Sequence, residues 1–313
     1  MEFFKTKTHI DFMGQSRPAF FISLFFVLLA IGALSLRGLN VGLDFSGGTL
    51  LEVVYPKAVE VEPLRQALSG AGLGQAIVQH MGAANEVQVR LDVKLSGTDD
   101  AALTNQILRA LTVDANNAPN LRRAEFVGAQ VGDELAEEGG LAVLYALIAI
   151  LIYVAWRFEW RFALGSVLAL LHDVIIVVGL FSVFQWEFDL TVLAAVLAVI
   201  GYSLNDTIVV FDRIRENLLN RRLRKENVYT VMNISLNETL SRTLMTGVTT
   251  LMVLMALFIW GGPVVHNFAL CLILGLIIGT YSSVYVASAY VLWLGVSHND
   301  LLVEKIEVDD SRP

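Results

Sequence analysis

The chain has 313 residues, 55% of them hydrophobic and 17% charged, with a formal net charge of -8. Its mean hydropathy of +0.62 exceeds what soluble globular domains show and marks a membrane protein. The single cysteine, Cys271, excludes an intrachain disulfide, and five scattered histidines with no paired Cys give no metal-ligating pattern.

Six apolar runs approach or exceed the roughly 17 to 25 residues needed to cross about 30 Å of hydrocarbon. They are 18–36, 139–155, 163–184, 190–211, 243–260 and 268–296. Each is expected to be a helix, because lipid offers the backbone no hydrogen-bond partner. The first run is longer than the roughly 7 to 15 apolar residues of a signal peptide and reads as a retained anchor after an N-terminal stretch 1–17. Lys5, Lys7 and Arg17 precede it, Arg157 and Arg161 follow the second run, and Arg213, Arg215, Arg221, Arg222, Arg224 and Lys225 follow the fourth. The alternate short loops, QWEFD and GGPVVHN, contain no Lys or Arg. The bias puts both termini, a basic loop 212–242 and the tail 297–313 on the cytoplasmic side, and 37–138 outside.

The external segment carries 14 acidic and 8 basic residues, which argues against a nucleic-acid partner. It opens with GLDFSGG, where Gly47 and Gly48 allow a tight turn that Asp44 is placed to cap. Strand-like TLLEVVYP (49–56) is followed by a helical pattern at 61–72 and a strand at 74–82. In 85–93, Val87, Val89, Leu91 and Val93 alternate with polar residues as in a half-buried strand. A second helix over 97–115, capped by Thr98 or Asp99, lines up Leu103, Ile107 and Leu111, and 121–131 supplies a last strand. The order β-α-β-β-α-β is that of a split βαβ, ferredoxin-like α+β unit. It shows no nucleophile–base pair and no phosphate loop, so a protein-contacting role is expected rather than an enzyme site.

Within the fourth span, Ser203, Asp206, Thr207 and Val210 fall on one helix face, with Asn205 beside them. The fifth has a similar set in Arg242, Thr246, Thr249 and Thr250, and the third contains His172 and Asp173. An ionised side chain at the centre of a span costs at least about 2.5 to 3.5 kcal/mol, so Asp206 is expected to face protein or water. Snorkelling to the interface is the alternative for Asp206, five residues before Phe211, and for Arg242 at the start of its span. Asp173 has the plainer alternative of accepting a hydrogen bond from a neighbouring helix, and His172 that of a packed or hydrogen-bonded residue. A carboxyl on one helix and a guanidinium on another form a protonation switch. Water exclusion raises the acid's pKa, the cation lowers it, and helix motion changes which dominates.

The segments GLDFSGGTLLEV (42–53), VGDEL (131–135), LHDV (171–174), GYSLNDTIVVFDRIREN (201–217) and SRTLMTGVTTLMVLMALFIWGGP (241–263) resemble the signature segments of the SecD/SecF family. That resemblance covers nearly the whole chain and implies a polytopic α-helical protein of the bacterial inner membrane, one six-span half of a resistance-nodulation-division assembly. It implies SecD, the SecYEG channel, YajC and a translocating unfolded polypeptide as partners, a periplasmic external domain, and no enzyme activity. Protons would be the coupling ion, with no other cofactor, and the family's acidic and arginine positions match Asp206 and Arg242. Two other functions remain open at this stage, a proton-coupled small-molecule exporter and a passive scaffold of the translocase.

Overall fold

The computed structural model describes residues 8–91, 100–220, 222–223 and 225–297. In chain order these form α1 (Ser16–Arg37), β1 (Asn40–Val41), α2 (Leu43–Ser46), β2 (Gly48–Val54), α3 (Val61–Gly70), β3 (Ile77–Met81), β4 (Ala83–Leu91) and α4 (Asp100–Leu111). There follow β5 (Asn120–Val127), α5 (Ala129–Arg157), α6 (Trp160–Phe184), β6 (Glu187–Phe188), α7 (Leu190–Leu219), α8 (Val228–Trp260), α9 (Pro263–Ser282) and α10 (Ser288–Trp293). A single π-helical turn, Ser283–Ala287, joins α9 to α10. Among the described residues, six helical stretches are long and apolar enough to cross a membrane, the last running Pro263–Trp293.

Hydropathy marked where these helices meet lipid but not where they end. α7 continues past residue 211 and α8 begins well before 243, so most of the expected loop 212–242 is helix. The extensions hold each other: Asn217 Nδ2 donates to Ser235 Oγ at 3.0 Å, and Arg213 pairs with Glu238 at 2.7 Å. α5 likewise starts at Ala129 rather than 139, taking over the end of the segment read as the strand 121–131. Its Gly132 lies where an added Cβ would come within 2.9 Å of the Phe45 carbonyl, so only glycine lets α5 pass α2 this closely.

In the external domain, β3, β4, β2 and β5 form one antiparallel sheet in that spatial order. α3 and α4 cover one face. Val87, Val89 and Leu91 point into the core with Leu51, Val53, Leu68, Leu103, Ile107 and Leu111, as their alternation and helical spacing predict. Each such Val, Leu or Ile stabilises the fold by about 1.5 to 3 kcal/mol through burial. Val93 and the capping candidates Thr98 and Asp99 lie outside the described residues, as do Lys5, Lys7, Arg221 and Arg224. A second, two-stranded sheet pairs β1 with β6 in parallel, tying the foot of the external domain to the α6–α7 connection.

Candidate functional site

The membrane helices approach most closely where small residues allow it. An added Cβ on Gly275 of α9 would lie 2.1 Å from Val199 Cγ2, and one on Gly279 would lie 3.0 Å from Ser203 Cβ. This contact sets the rotation of α7 and turns its polar face inward, as small residues at membrane helix interfaces do. Ser203, Asp206, Thr207 and Val210 are all 2% exposed or less.

The buried groups divide into two sets. Asp173 of α6 is fully engaged: its Oδ2 accepts from Ser203 Oγ at 2.6 Å and Ser282 Oγ at 2.7 Å, and its Oδ1 lies 2.9 Å from His172 Nδ1. It thereby joins α6, α7 and α9 beside the π turn. One turn along α7, Thr207 Oγ1 is 2.9 Å from Ser283 Oγ. Asp206 is different. It is 2% exposed, and its Oδ2 is buried without a hydrogen-bond partner. Arg242 of α8 stands near enough to act on it electrostatically, yet no hydrogen bond or ion pair joins the two.

Not every residue on the expected polar faces turns inward. Arg242, Thr246 and Thr249 are exposed on α8, and the two threonines return their hydroxyls to the Arg242 and Met245 carbonyls of their own helix at 3.1 and 2.9 Å. Thr250 is half-buried, and Asn205 is exposed on the side of α7 away from Asp173. Sequence reasoning missed Ser282 and Ser283. The signal was present as paired serines inside an apolar run, TYSSVYVAS. His172, expected to be packed or hydrogen-bonded, is both: Nδ1 meets Asp173, Nε2 is buried without a partner, and the ring lines an apolar cavity of ≈ 280 Å³ between α1, α6 and α10.

The glycine turn outside the membrane is built as expected, with Gly47 at φ 67° and Gly48 at φ 128°. Asp44, however, caps a distant helix rather than its own turn. Its Oδ2 accepts from the Leu190 amide at 2.9 Å, while Asp189 Oδ1 accepts from Val192 N at 2.8 Å. Two carboxylates thus satisfy first-turn amides of α7 and sit at the positive end of its dipole. A buried carboxyl with an open oxygen lies on that same helix, so the arrangement can couple protonation of Asp206 to helix position. A carboxyl placed there can take up or release a proton where water is excluded, and Arg242, the cation that acts on it, sits on a separate helix.

Residues 107–297 match the family described as protein export membrane protein SecD/SecF, C-terminal, and residues 32–58 match the SecD/SecF GG motif. The chain is 51% identical to the protein translocase subunit SecF of Vibrio alginolyticus, over 97% of this chain and 95% of that one. It is 45% identical to the Escherichia coli O157:H7 SecF, over 95% and 91%. The crystal structure of SecDF, a translocon-associated membrane protein from Thermus thermophilus, matches with a TM-score of 0.81 at 40% identity, over 93% of this chain. This chain spans 39% of that SecDF chain. A SecDF structure in a super-membrane-facing form matches over the same shares with a TM-score of 0.68.

Proposed function

This chain belongs to the SecD/SecF family of protein-export membrane proteins, and we propose that it works with a SecD half as a proton-driven accessory motor of the Sec translocase. Proton flow through the membrane helices drives the external domain, which holds emerging unfolded polypeptide and prevents its return. The observation that carries this reading is Asp206, a carboxyl on a membrane helix, buried and with an oxygen left unbonded. Structural polar residues in membranes are normally satisfied, as Asp173 is, so an open one suits a group that exchanges protons.

Arg242, Thr246 and Thr249 lie exposed on a helix otherwise apolar enough to span lipid. That face suits burial against a second six-helix half, and the SecDF likeness supports SecD as its source. The SecYEG channel and YajC enter the proposal as further partners through the family. The external domain is assigned to the periplasm of a bacterial inner-membrane protein by the Lys and Arg bias. Its antiparallel strand order supports the ferredoxin-like reading. The test is export into vesicles containing the purified complex, with and without a proton gradient. Asp206→Asn, equal in size but unable to ionise, should abolish the gradient-dependent part while assembly is normal. Wild-type gradient dependence in that variant would refute the relay.

A further inference from the structure

One side chain ties three pieces of the chain together where the external sheet meets the membrane helices. Arg90 on β4 donates from Nη2 to the Val41 carbonyl of β1 at 3.0 Å and to Ser46 Oγ of α2 at 2.9 Å. Its Nη1 lies 3.7 Å from Glu187 Oε1 on β6. A planar guanidinium can hold several acceptors at fixed angles, which an ammonium cannot. The pieces it holds also hold each other. β1 pairs with β6 through Asn40 with Glu187 and Val41 with Phe188, and the Gly42 amide donates to the Phe188 carbonyl at 2.8 Å. α7 begins two residues beyond β6, at Leu190, with its first amide on Asp44 of α2.

We propose that Arg90 is a positioning residue that carries displacement of the external sheet to the N-terminal end of α7, the helix bearing Asp206. The proposal rests on the motor reading above for its purpose, but its geometry stands apart from it. Glu187 meets Arg90 from β4, Glu125 from β5, Asp44 from α2 and Asp189 from its own connection, while Asn267 of α9 donates to its backbone carbonyl at 3.1 Å. Burial pushes the Glu187 carboxyl up, the Arg90 guanidinium holds it down, and the three carboxylates push it further up, leaving it above the ordinary range. Opening the junction would return Glu187 to water and to an ordinary pKa. The closed junction therefore binds a proton more tightly than the open one, and acidification of the external face holds it closed.

The experiment uses the full-length chain with its partner half in proteoliposomes and reads amide exchange at 40–41, 187–188 and 190–193, corrected for intrinsic rates, from about pH 8 to about pH 5. Wild type should become more protected as pH falls, and Glu187→Gln should lose that dependence. Arg90→Ala should exchange about tenfold faster at neutral pH and move the protection profile to higher pH, because the group holding the carboxyl down is gone. Arg90→Lys should fall between them, and it carries the comparison with Glu187→Gln if Arg90→Ala does not fold. Gradient-driven export should decline in the order wild type, Arg90→Lys, Arg90→Ala. Unchanged exchange at 190–193 in the Arg90 variants would overturn the proposal. So would a wild-type profile in Glu187→Gln, or full export by a variant whose junction exchanges faster. If wild-type export ignores the gradient, the motor reading fails, and the exchange series still decides whether Arg90 positions α7.

Discussion

Gly275→Ala tests whether the α7–α9 contact sets the site. The added Cβ would lie 2.1 Å from Val199 Cγ2, 2.6 Å from Cγ1 and 2.9 Å from Cβ. A rotamer change moves the two methyls but not the β-carbon, so the clash cannot be cleared by the side chain. With Val199 held in its present rotamer, bringing the closest pair from 2.1 Å to an ordinary contact of 3.4 Å requires relative movement of 1.3 Å. A displacement of that size along the Ser203–Asp173 bond, now 2.6 Å, stretches it beyond hydrogen-bond length. Overpacking of this kind costs about 1 to 3 kcal/mol. The assay is reversible unfolding in mixed micelles, read by proteolysis, for Gly275→Ala, Val199→Ala and the double variant. The double variant should recover much of the loss, since it removes both methyls and leaves only the β-carbon contact. A loss below about 0.5 kcal/mol in Gly275→Ala, or strict additivity in the double variant, would refute the reasoning.

Asp206→Glu keeps the acid but moves it by one methylene, so gradient-driven export should be partial, and Arg242→Lys should also be impaired if the guanidinium tunes Asp206. Wild-type rates in both would argue against a relay built on Asp206 and Arg242. Asp173→Asn leaves one acceptor oxygen where two now serve Ser203, Ser282 and His172. It should cost about 0.6 to 1.7 kcal/mol of stability in the same micelle assay, the range for hydrogen bonds between membrane helices. Tyr55 donates to the Leu111 carbonyl at 3.0 Å, and burial pushes its phenol up to about 12. The unfolded phenol ionises near pH 10, so stability is intact below that value and declines as pH rises toward 12. Thermal melts of Tyr55→Phe should show a shallower alkaline decline, and an identical one would remove Tyr55 as its cause. A thiol at exposed Val113, in a chain whose native Cys271 is buried, should react with a membrane-impermeant reagent in intact spheroplasts. Protection there would reverse the assigned topology.

Much of this architecture is written in local pattern. The six apolar runs mark the spans because crossing lipid demands an unbroken stretch of such residues, and the alternation of Val87, Val89 and Leu91 places them in the core because a strand has a period of two. Asp206 stands out on the same grounds, as a charge inside an apolar run where charge is costly, whereas Arg242 lies at the start of its run and is singled out by the family resemblance. Periodicity, however, describes one element at a time. It left α7 and α8 too short, since their extensions beyond the apolar runs are polar and are held by Asn217 with Ser235 and Arg213 with Glu238 rather than by lipid. It assigned Asp44 to its own turn, because the amide it caps lies far along the chain at Leu190. Ser203 read as a companion of Asp206 but bonds to Asp173, and that choice belongs to tertiary structure. The rotation of α7 about its axis is fixed by Gly275 and Gly279 letting α9 come close, and a helix rotated by one residue, about 100°, would present different side chains to its neighbours.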